Sequence, residues 1–170
     1  MLERCTFKHR KTNTYMVADA YRGSEIREAI LDFFDAAAGA SPEAIVVGPP
    51  AVRLSIRGEA DLLAYVGHDG LMDFELPLIP KKKNEIHRDT IILACASQQY
   101  FGKVLREGGA YPLLWTTNLM APEAYTLESA LEGWIDGETN EQVRDRAAVA
   151  YDHYQRCGLN AARRLFATGW

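Results

Sequence analysis

The sequence predicts an α/β fold of three layers, in which helices cover both faces of a mostly parallel central sheet. Two apolar runs, 62–66 and 90–94, have the length of buried strands, and each is followed by polar residues. Helical patterns alternate with such runs through the middle of the chain, and mainly helical patterns follow from about residue 121. Because strands joined by helical crossovers are parallel and right-handed, this order indicates one sheet between two helical layers.

Length and composition suit a single globular domain over residues 1–170. The chain is 48% hydrophobic and 25% charged, which allows an ample core. Its net charge of −4 is spread over well-mixed acidic and basic residues, and this argues against a nucleic-acid partner. No apolar run approaches the roughly 20 residues that cross a bilayer, and residues 1–5 lack a signal-peptide core. We therefore expect a soluble, cytoplasmic protein with no membrane partner.

The three cysteines, Cys5, Cys95 and Cys157, are too few and too scattered for a disulfide framework. No pair of them has the spacing of metal ligands. An odd count leaves at least one thiol free in a monomer, which fits a reducing compartment. The chain opens directly in a strand pattern, whereas an α/β domain often has an earlier strand and helix. A longer, exported precursor is therefore an open alternative.

Two hairpins are predicted in the first third of the chain. Residues 3–9 and 14–20 are β-prone segments on either side of a polar turn. Residues 44–48 form a short apolar run, a pair of prolines breaks it, and residues 52–56 alternate apolar and polar positions. Both patterns favour antiparallel strands rather than helices.

Two helices with clear ends follow from apolar residues at three- and four-residue spacing. The first is expected to open with Ser24 as N-cap and to end at Gly39. Its apolar stripe comprises Ile26, Ala29, Ile30, Phe33, Phe34 and Ala37. The second begins near Ser97 and is stopped by Gly108 and Gly109. Each helix is expected to cover the sheet beside it.

The last third of the chain predicts a strand over 112–117 and then helices. Pro122 suits the first turn of one helix. Thr139 and Gln142 form a capping box for the next, which Gly158 is expected to end. A last short helix is expected over 161–167.

His68 and Cys95 each follow one of the two buried strands, and the carboxyl ends of parallel strands share one edge of a sheet. A thiol reacts as its thiolate, so a catalytic cysteine needs a base or cation nearby, and His68 is the candidate. Cys95 also precedes the helix near Ser97, whose unpaired N–H groups favour negative charge. The backbone N–H groups of Cys95, Asp69 and Gly70 are candidate oxyanion donors.

The two motifs resemble those of the caspase-hemoglobinase fold, which includes caspases, gingipains, legumains, clostripain, separase and bacterial CHAT domains. The matching residues are Gly67-His68 after the first strand and Ala94-Cys95-Ala96-Ser97 after the second. The resemblance implies that His68 and Cys95 form a catalytic dyad and that the α/β layers are caspase-like. It covers most of the chain by the order of elements, but only the two motifs by residue type.

Two features depart from that family's pattern. Asp69 stands where the family usually has the glycine whose N–H helps to form the oxyanion hole, and Gly70 comes one position later. The interval of 27 residues between His68 and Cys95 is also short, which trims the loop that commonly builds part of the substrate cleft.

Segment 71–80 has neither hydrophobic period, and it predicts a long surface loop beside the site. Its acidic residues favour a substrate with Lys or Arg at the cleaved position. A metal site built from the same carboxylates and His87 is disfavoured because their spacing matches no ligand motif. The candidate substrate pocket comprises Asp69, Asp73, Glu75, Ser97 and Asn118.

Three functions remain in competition. The first is a cysteine hydrolase that acts on a peptide or protein and needs no cofactor. The alternative is a caspase-like module without turnover that serves binding or assembly, and Asp69 and the short interval favour it. The third is an unrelated flavodoxin-like domain for a small ligand. It is weakened because Gly48-Pro49-Pro50 opens no helix and so forms no phosphate loop.

Overall fold

The computed structural model describes residues 1–170 and arranges eight strands in three sheets. Short 3₁₀ helices at Gly23–Glu25 and Gly70–Met72 supplement the α-helices. The elements in chain order are β1 (Glu3–Lys8), β2 (Tyr15–Ala20), α1 (Ile26–Ala37), β3 (Pro42–Val47), β4 (Val52–Arg57), β5 (Leu62–Val66), β6 (Asp89–Leu93), α2 (Ser97–Gly108), β7 (Tyr111–Thr116), α3 (Ala124–Ile135), α4 (Asn140–Gln155), α5 (Leu159–Leu165) and β8 (Phe166–Ala167).

The central sheet has the order β5-β6-β7-β8. β5, β6 and β7 run parallel, and β8 pairs antiparallel with β7. The predicted α/β class with a mostly parallel sheet is therefore confirmed. The helix expected over 161–167 is corrected, because α5 ends at Leu165 and the next two residues pair with Trp115 and Thr116. A strand of two residues is too short to leave a periodic pattern.

Alternate residues of β6 feed two separate hydrophobic clusters, so this strand is buried on both faces. Ile91 and Leu93 pack with α3, α4 and α5, whereas Ile92 and Ala94 pack with α1 and α2. All four side chains are fully buried. Helices therefore lie on both sides of the sheet. None of the helices is long and apolar enough to cross a membrane.

The two predicted hairpins, β1-β2 and β3-β4, are confirmed, and each forms a sheet of its own. A charged network joins them. Arg4 Nε donates to Asp19 Oδ1 at 2.6 Å, and Arg4 Nη1 donates to Glu43 Oε1. Arg57 Nε lies 3.0 Å from the other carboxylate oxygen of Glu43. Arg57 also reaches Asp32 of α1 at 3.3 Å. The network therefore fixes both hairpins to the first helix.

The helix starts differ from the sequence interpretation at two places. Ser24 lies inside the 3₁₀ helix that precedes α1, so Glu25 occupies the N-cap position of α1 and makes no side-chain cap. Pro122 lies just before α3, whose N-cap is Glu123. A 3₁₀ turn therefore precedes α1, and an extended residue, Glu123, separates Pro122 from α3.

The capping box of Thr139 and Gln142 is confirmed at the start of α4. The end of α4 comes earlier than expected, because Arg156 takes the left-handed conformation with φ 53°. Gly158 instead precedes α5 as its N-cap. The glycine therefore separates two helices rather than capping the first.

Arg88 is a fully buried cation just before β6. Its guanidinium donates to the carbonyl oxygens of Gly58 and Ala37, at 3.2 and 3.3 Å, and to the side chain of Asn84. Burial lowers the pKa of Arg88 from its ordinary value. These bonds satisfy the C-terminal end of α1 and fasten the loop before β6 to it.

Candidate functional site

The carboxyl ends of β5 and β6 lie side by side, as the sequence predicted. Val66 pairs with Leu93, and the N–H of Gly67 donates to the Leu93 carbonyl at 3.1 Å. The paired register ends there, and His68 and Cys95 each lie two residues further on, in the loops that leave the two strands. The sheet therefore sends both loops out from the same edge.

The His68 ring is exposed and is held by a carboxylate from the following loop. Its Nε2 lies 2.7 Å from Asp73 Oδ2. The backbone carbonyl of His68 accepts a bond of 2.7 Å from the Tyr65 hydroxyl, which anchors the turn after β5. Nδ1 has no partner, so a carboxylate orients the ring while one nitrogen remains available.

The Cys95 thiol is partly buried and contacts the backbone of Met120. Met120 N–H donates to Sγ at 3.5 Å, and Sγ lies 3.6 Å from the Met120 carbonyl oxygen. Met120 belongs to the cluster under α3, α4 and α5. A contact to backbone leaves no side-chain signature, and so the sequence did not point to Met120.

No hydrogen bond joins the His68 ring with the Cys95 thiol. The His68 ring pairs with Asp73, whereas the thiol contacts the backbone of Met120. The two side chains therefore have separate partners.

Ala96 makes a sharp turn between Cys95 and α2. It adopts the left-handed conformation with φ 47°, and its N–H donates to the Asn118 carbonyl at 2.9 Å. The N–H groups of Cys95 and Asp69 donate no hydrogen bond within the protein. The Cys95 N–H therefore has no competing acceptor, whereas Asp69 is fully buried and its N–H cannot meet a substrate.

Asp69 is fully buried, and its side chain cannot line an open pocket. Oδ1 accepts a bond of 3.0 Å from the N–H of Leu71, while Oδ2 has no partner. Burial of the carboxylate raises the pKa of Asp69 to about 6. As a pocket residue Asp69 is corrected: its side chain shapes the turn after His68.

Gly70 sits where a larger residue has no room. A Cβ at this position would lie 2.7 Å from the Phe74 ring and 3.0 Å from the Ile30 side chain. The loop after His68 therefore packs directly against α1 at this point.

Ser97 is also corrected as a pocket residue, because it is fully buried. Its hydroxyl donates to the Ile92 carbonyl at 3.1 Å and accepts from the N–H of Thr116 at 3.0 Å. The Ser97 N–H lies 3.2 Å from Thr116 Oγ1. These bonds join β6, the start of α2 and β7, so Ser97 supports the turn that carries Cys95.

The three loop carboxylates do not converge on one pocket. Asp69 is buried, Asp73 is paired with His68, and the backbone carbonyl of Glu75 accepts a bond of 3.3 Å from Arg27. The guanidinium of Arg27 also lies 4.1 Å from the centre of the Phe74 ring. A cation therefore stands beside the acidic loop, and the expected preference for Lys or Arg loses its basis.

Asn118 is exposed at the end of β7, where its Oδ1 accepts a bond of 2.7 Å from the N–H of Leu119. Its backbone contact to Ala96 places it beside Cys95, so it remains a rim residue. No group of three or more His, Cys, Asp or Glu side chains lies together in a way that could hold a metal ion.

We compared the chain with known protein families, curated proteins and solved structures. None of the three comparisons found a match. Function is therefore argued from the site itself.

Proposed function

We propose that the chain is a cysteine hydrolase that cleaves peptide or protein substrates, with Cys95 as nucleophile and His68 as general acid and base. The observation that carries this proposal is the parallel register, in which Val66 pairs with Leu93 and both candidates follow two residues later. The resemblance of their two motifs to the caspase-hemoglobinase fold supports it. A caspase-like arrangement of the layers is part of the same proposal.

The chemistry needs one proton shuttle and one oxyanion site. His68 Nδ1 accepts the thiol proton, and the thiolate of Cys95 attacks the carbonyl carbon of the scissile amide. The N–H group of Cys95 binds the oxyanion. The imidazolium then protonates the leaving amine, and a thioester forms. Water, deprotonated by His68, attacks this thioester, and release of the carboxylic acid returns the thiol.

Asp73 holds the imidazole in its resting orientation and leaves Nδ1 unpaired. Attack also requires the thiol to turn away from Met120 and the ring to turn toward the sheet edge. Both movements are inexpensive. An exposed ion pair such as that of His68 and Asp73 contributes up to about 1 kcal/mol, and bonds to a thiol are weak.

Thiol labelling tests the pairing of His68 with Cys95. Iodoacetamide is expected to label Cys95 faster than Cys5 and Cys157, because only Cys95 has a base at the neighbouring strand end. His68→Ala should abolish this preference. His87→Ala is the matched control, since His87 is exposed and pairs with Asp89 at the opposite end of β6. Equal labelling of all three thiols, or a preference that survives His68→Ala, would contradict the dyad.

A binding or assembly module without turnover is the second candidate. The observation that favours it is the separate pairing of the two side chains, His68 with Asp73 and Cys95 with Met120. Under this alternative both pairings persist in solution. Cys95 is then labelled more slowly than the exposed Cys157, and His68→Ala leaves its rate unchanged.

A further inference from the structure

A groove lies between the outer face of α2 and Trp170, apart from the strand ends described above. It has a volume of about 240 Å³. The groove is open to solvent along one side. The groove is lined by Gln98, Gly102, Lys103, Arg106, Trp115 and Trp170.

Two cations of the groove lack an acidic partner. Neither Lys103 nor Arg106 forms a salt bridge, although the chain carries a net charge of −4. The Arg106 guanidinium stacks 4.2 Å from the centre of the Trp170 ring. Stacking uses the face of the guanidinium and leaves its in-plane N–H donors free. The groove therefore offers a bidentate site for a carboxylate, with a second positive charge beside it.

Two indole rings supply the apolar part of the groove. Trp115 and Trp170 meet edge to face, with their ring centres 5.5 Å apart. Trp115 is almost completely buried, whereas Trp170 is half exposed. Rigid aromatic walls next to cations suit a ligand that is planar at one end and negatively charged at the other.

Gly102 opens the floor of the groove. It lies in the middle of α2, where glycine is unfavourable compared with alanine. A Cβ added to Gly102 would meet Trp115 Cζ3 at 3.7 Å, which is ordinary van der Waals contact. The fold itself therefore does not need a glycine here, and the main effect of the missing side chain is open space above Trp115.

We propose that this groove binds an aromatic carboxylate, with its ring against the Trp115–Trp170 pair and its carboxylate on Arg106 and Lys103. The ligand is either a free arylcarboxylic acid or the C-terminal aromatic residue of a peptide, since both carry the same two groups. Binding here does not depend on the proposed hydrolase activity, so Cys95→Ala retains it.

Tryptophan fluorescence measures this binding. In a Trp134→Phe background, only the two groove tryptophans report, because the third indole has been removed. Titration with phenylacetate should give a saturable change. Phenylacetamide, the neutral isostere, should bind at least roughly tenfold more weakly, because it cannot form the charge-assisted bonds. Equal binding of the two compounds, or no saturation with phenylacetate, would overturn the proposal.

Three variants separate the groove from general charge effects. Arg106→Met should weaken phenylacetate binding by roughly tenfold or more, whereas Arg53→Met removes an exposed arginine of β4 and should leave it unchanged. Gly102→Ala should weaken binding while the thermal midpoint stays the same or rises. Equal losses in the two arginine variants, or full binding in Gly102→Ala, would contradict the site.

Acetyl-glycyl-phenylalanine distinguishes the two sources of the ligand. Tighter binding than phenylacetate assigns the groove to peptide C-termini, and weaker binding assigns it to free arylcarboxylic acids. Saturable binding of the two compounds supports the site, whichever of them binds more tightly. Binding of neither compound refutes it, whatever the outcome of the thiol labelling.

Discussion

Val66 of β5 pairs in parallel with Leu93 of β6, so the chain leaves both strands at the same level. His68 and Cys95 follow this pair by equal numbers of residues. The common level at which the two strands end is therefore a property of the sheet. The directions of their side chains are set locally, by Asp73 for the histidine and by Met120 for the cysteine.

Ser97→Ala is expected to destabilise the fold by about 1–3 kcal/mol. The change leaves the buried N–H of Thr116 and the carbonyl of Ile92 without their partner. Urea denaturation measures the loss. Ser55→Ala is the control, because Ser55 is an exposed residue of β4 and should change stability by less than about 0.5 kcal/mol. A loss no larger than that of the control would show that the network carries little energy.

Ala96→Val is expected to destabilise the protein by at least about 1 kcal/mol, because a β-branched residue is strained at φ 47°. Ala96→Gly should remain within about 1 kcal/mol of the wild type, since glycine adopts this conformation freely. Ala44→Val, at an exposed strand position, should be neutral or mildly stabilising. Thermal unfolding measures all three, and equal effects of the two valines would contradict the strained turn.

Asp69 is expected to make stability depend on pH. Burial raises its pKa from 3.8 to about 6, so the folded state holds a proton that the unfolded state has released. The contribution of Asp69 to the free energy of unfolding is therefore greatest below about pH 4, falls as the pH rises through 6, and is level above that. A shift of this size corresponds to about 2–3 kcal/mol.

Asp69→Asn should remove this pH dependence and raise stability at pH 7.5, because the neutral amide keeps an oxygen for the Leu71 N–H. Urea denaturation at several pH values measures the free energy of unfolding of the wild type and of Asp69→Asn. Asp61→Asn, an exposed carboxylate, controls for the loss of one negative charge. Retention of the full slope in Asp69→Asn would assign the titration to another group.

The hydrophobic pattern was sufficient to predict the strands of the parallel sheet and of both hairpins. The residue types of Thr139 and Gln142 predicted the capping box of α4. Each of these signals lies within a short segment of the sequence. β8 was missed because two residues carry no period. The turn through Ala96 was missed because alanine usually avoids positive φ. These features depend on partners that are distant along the chain.

Some features of the candidate site could likewise be predicted from the sequence, and others could not. The edge that His68 and Cys95 share follows from strand order, which the sequence predicts. The burial of Asp69 and Ser97 could not be predicted from the sequence, because polar residues in short motifs next to a site are usually exposed. The groove at Trp170 went unrecognised as well, and its one local signal is a glycine in the middle of α2.

Hydrolysis of a positional peptide library tests the central proposal most directly. We expect the wild type to cleave a subset of peptides, Cys95→Ala to cleave none of them, and His68→Ala to be at least about 100-fold slower. Cys157→Ala, which removes an exposed thiol, should match the wild type. Cleavage that persists in Cys95→Ala, or no cleavage by the folded wild-type protein, would contradict the assignment of Cys95 and His68 as a hydrolase dyad.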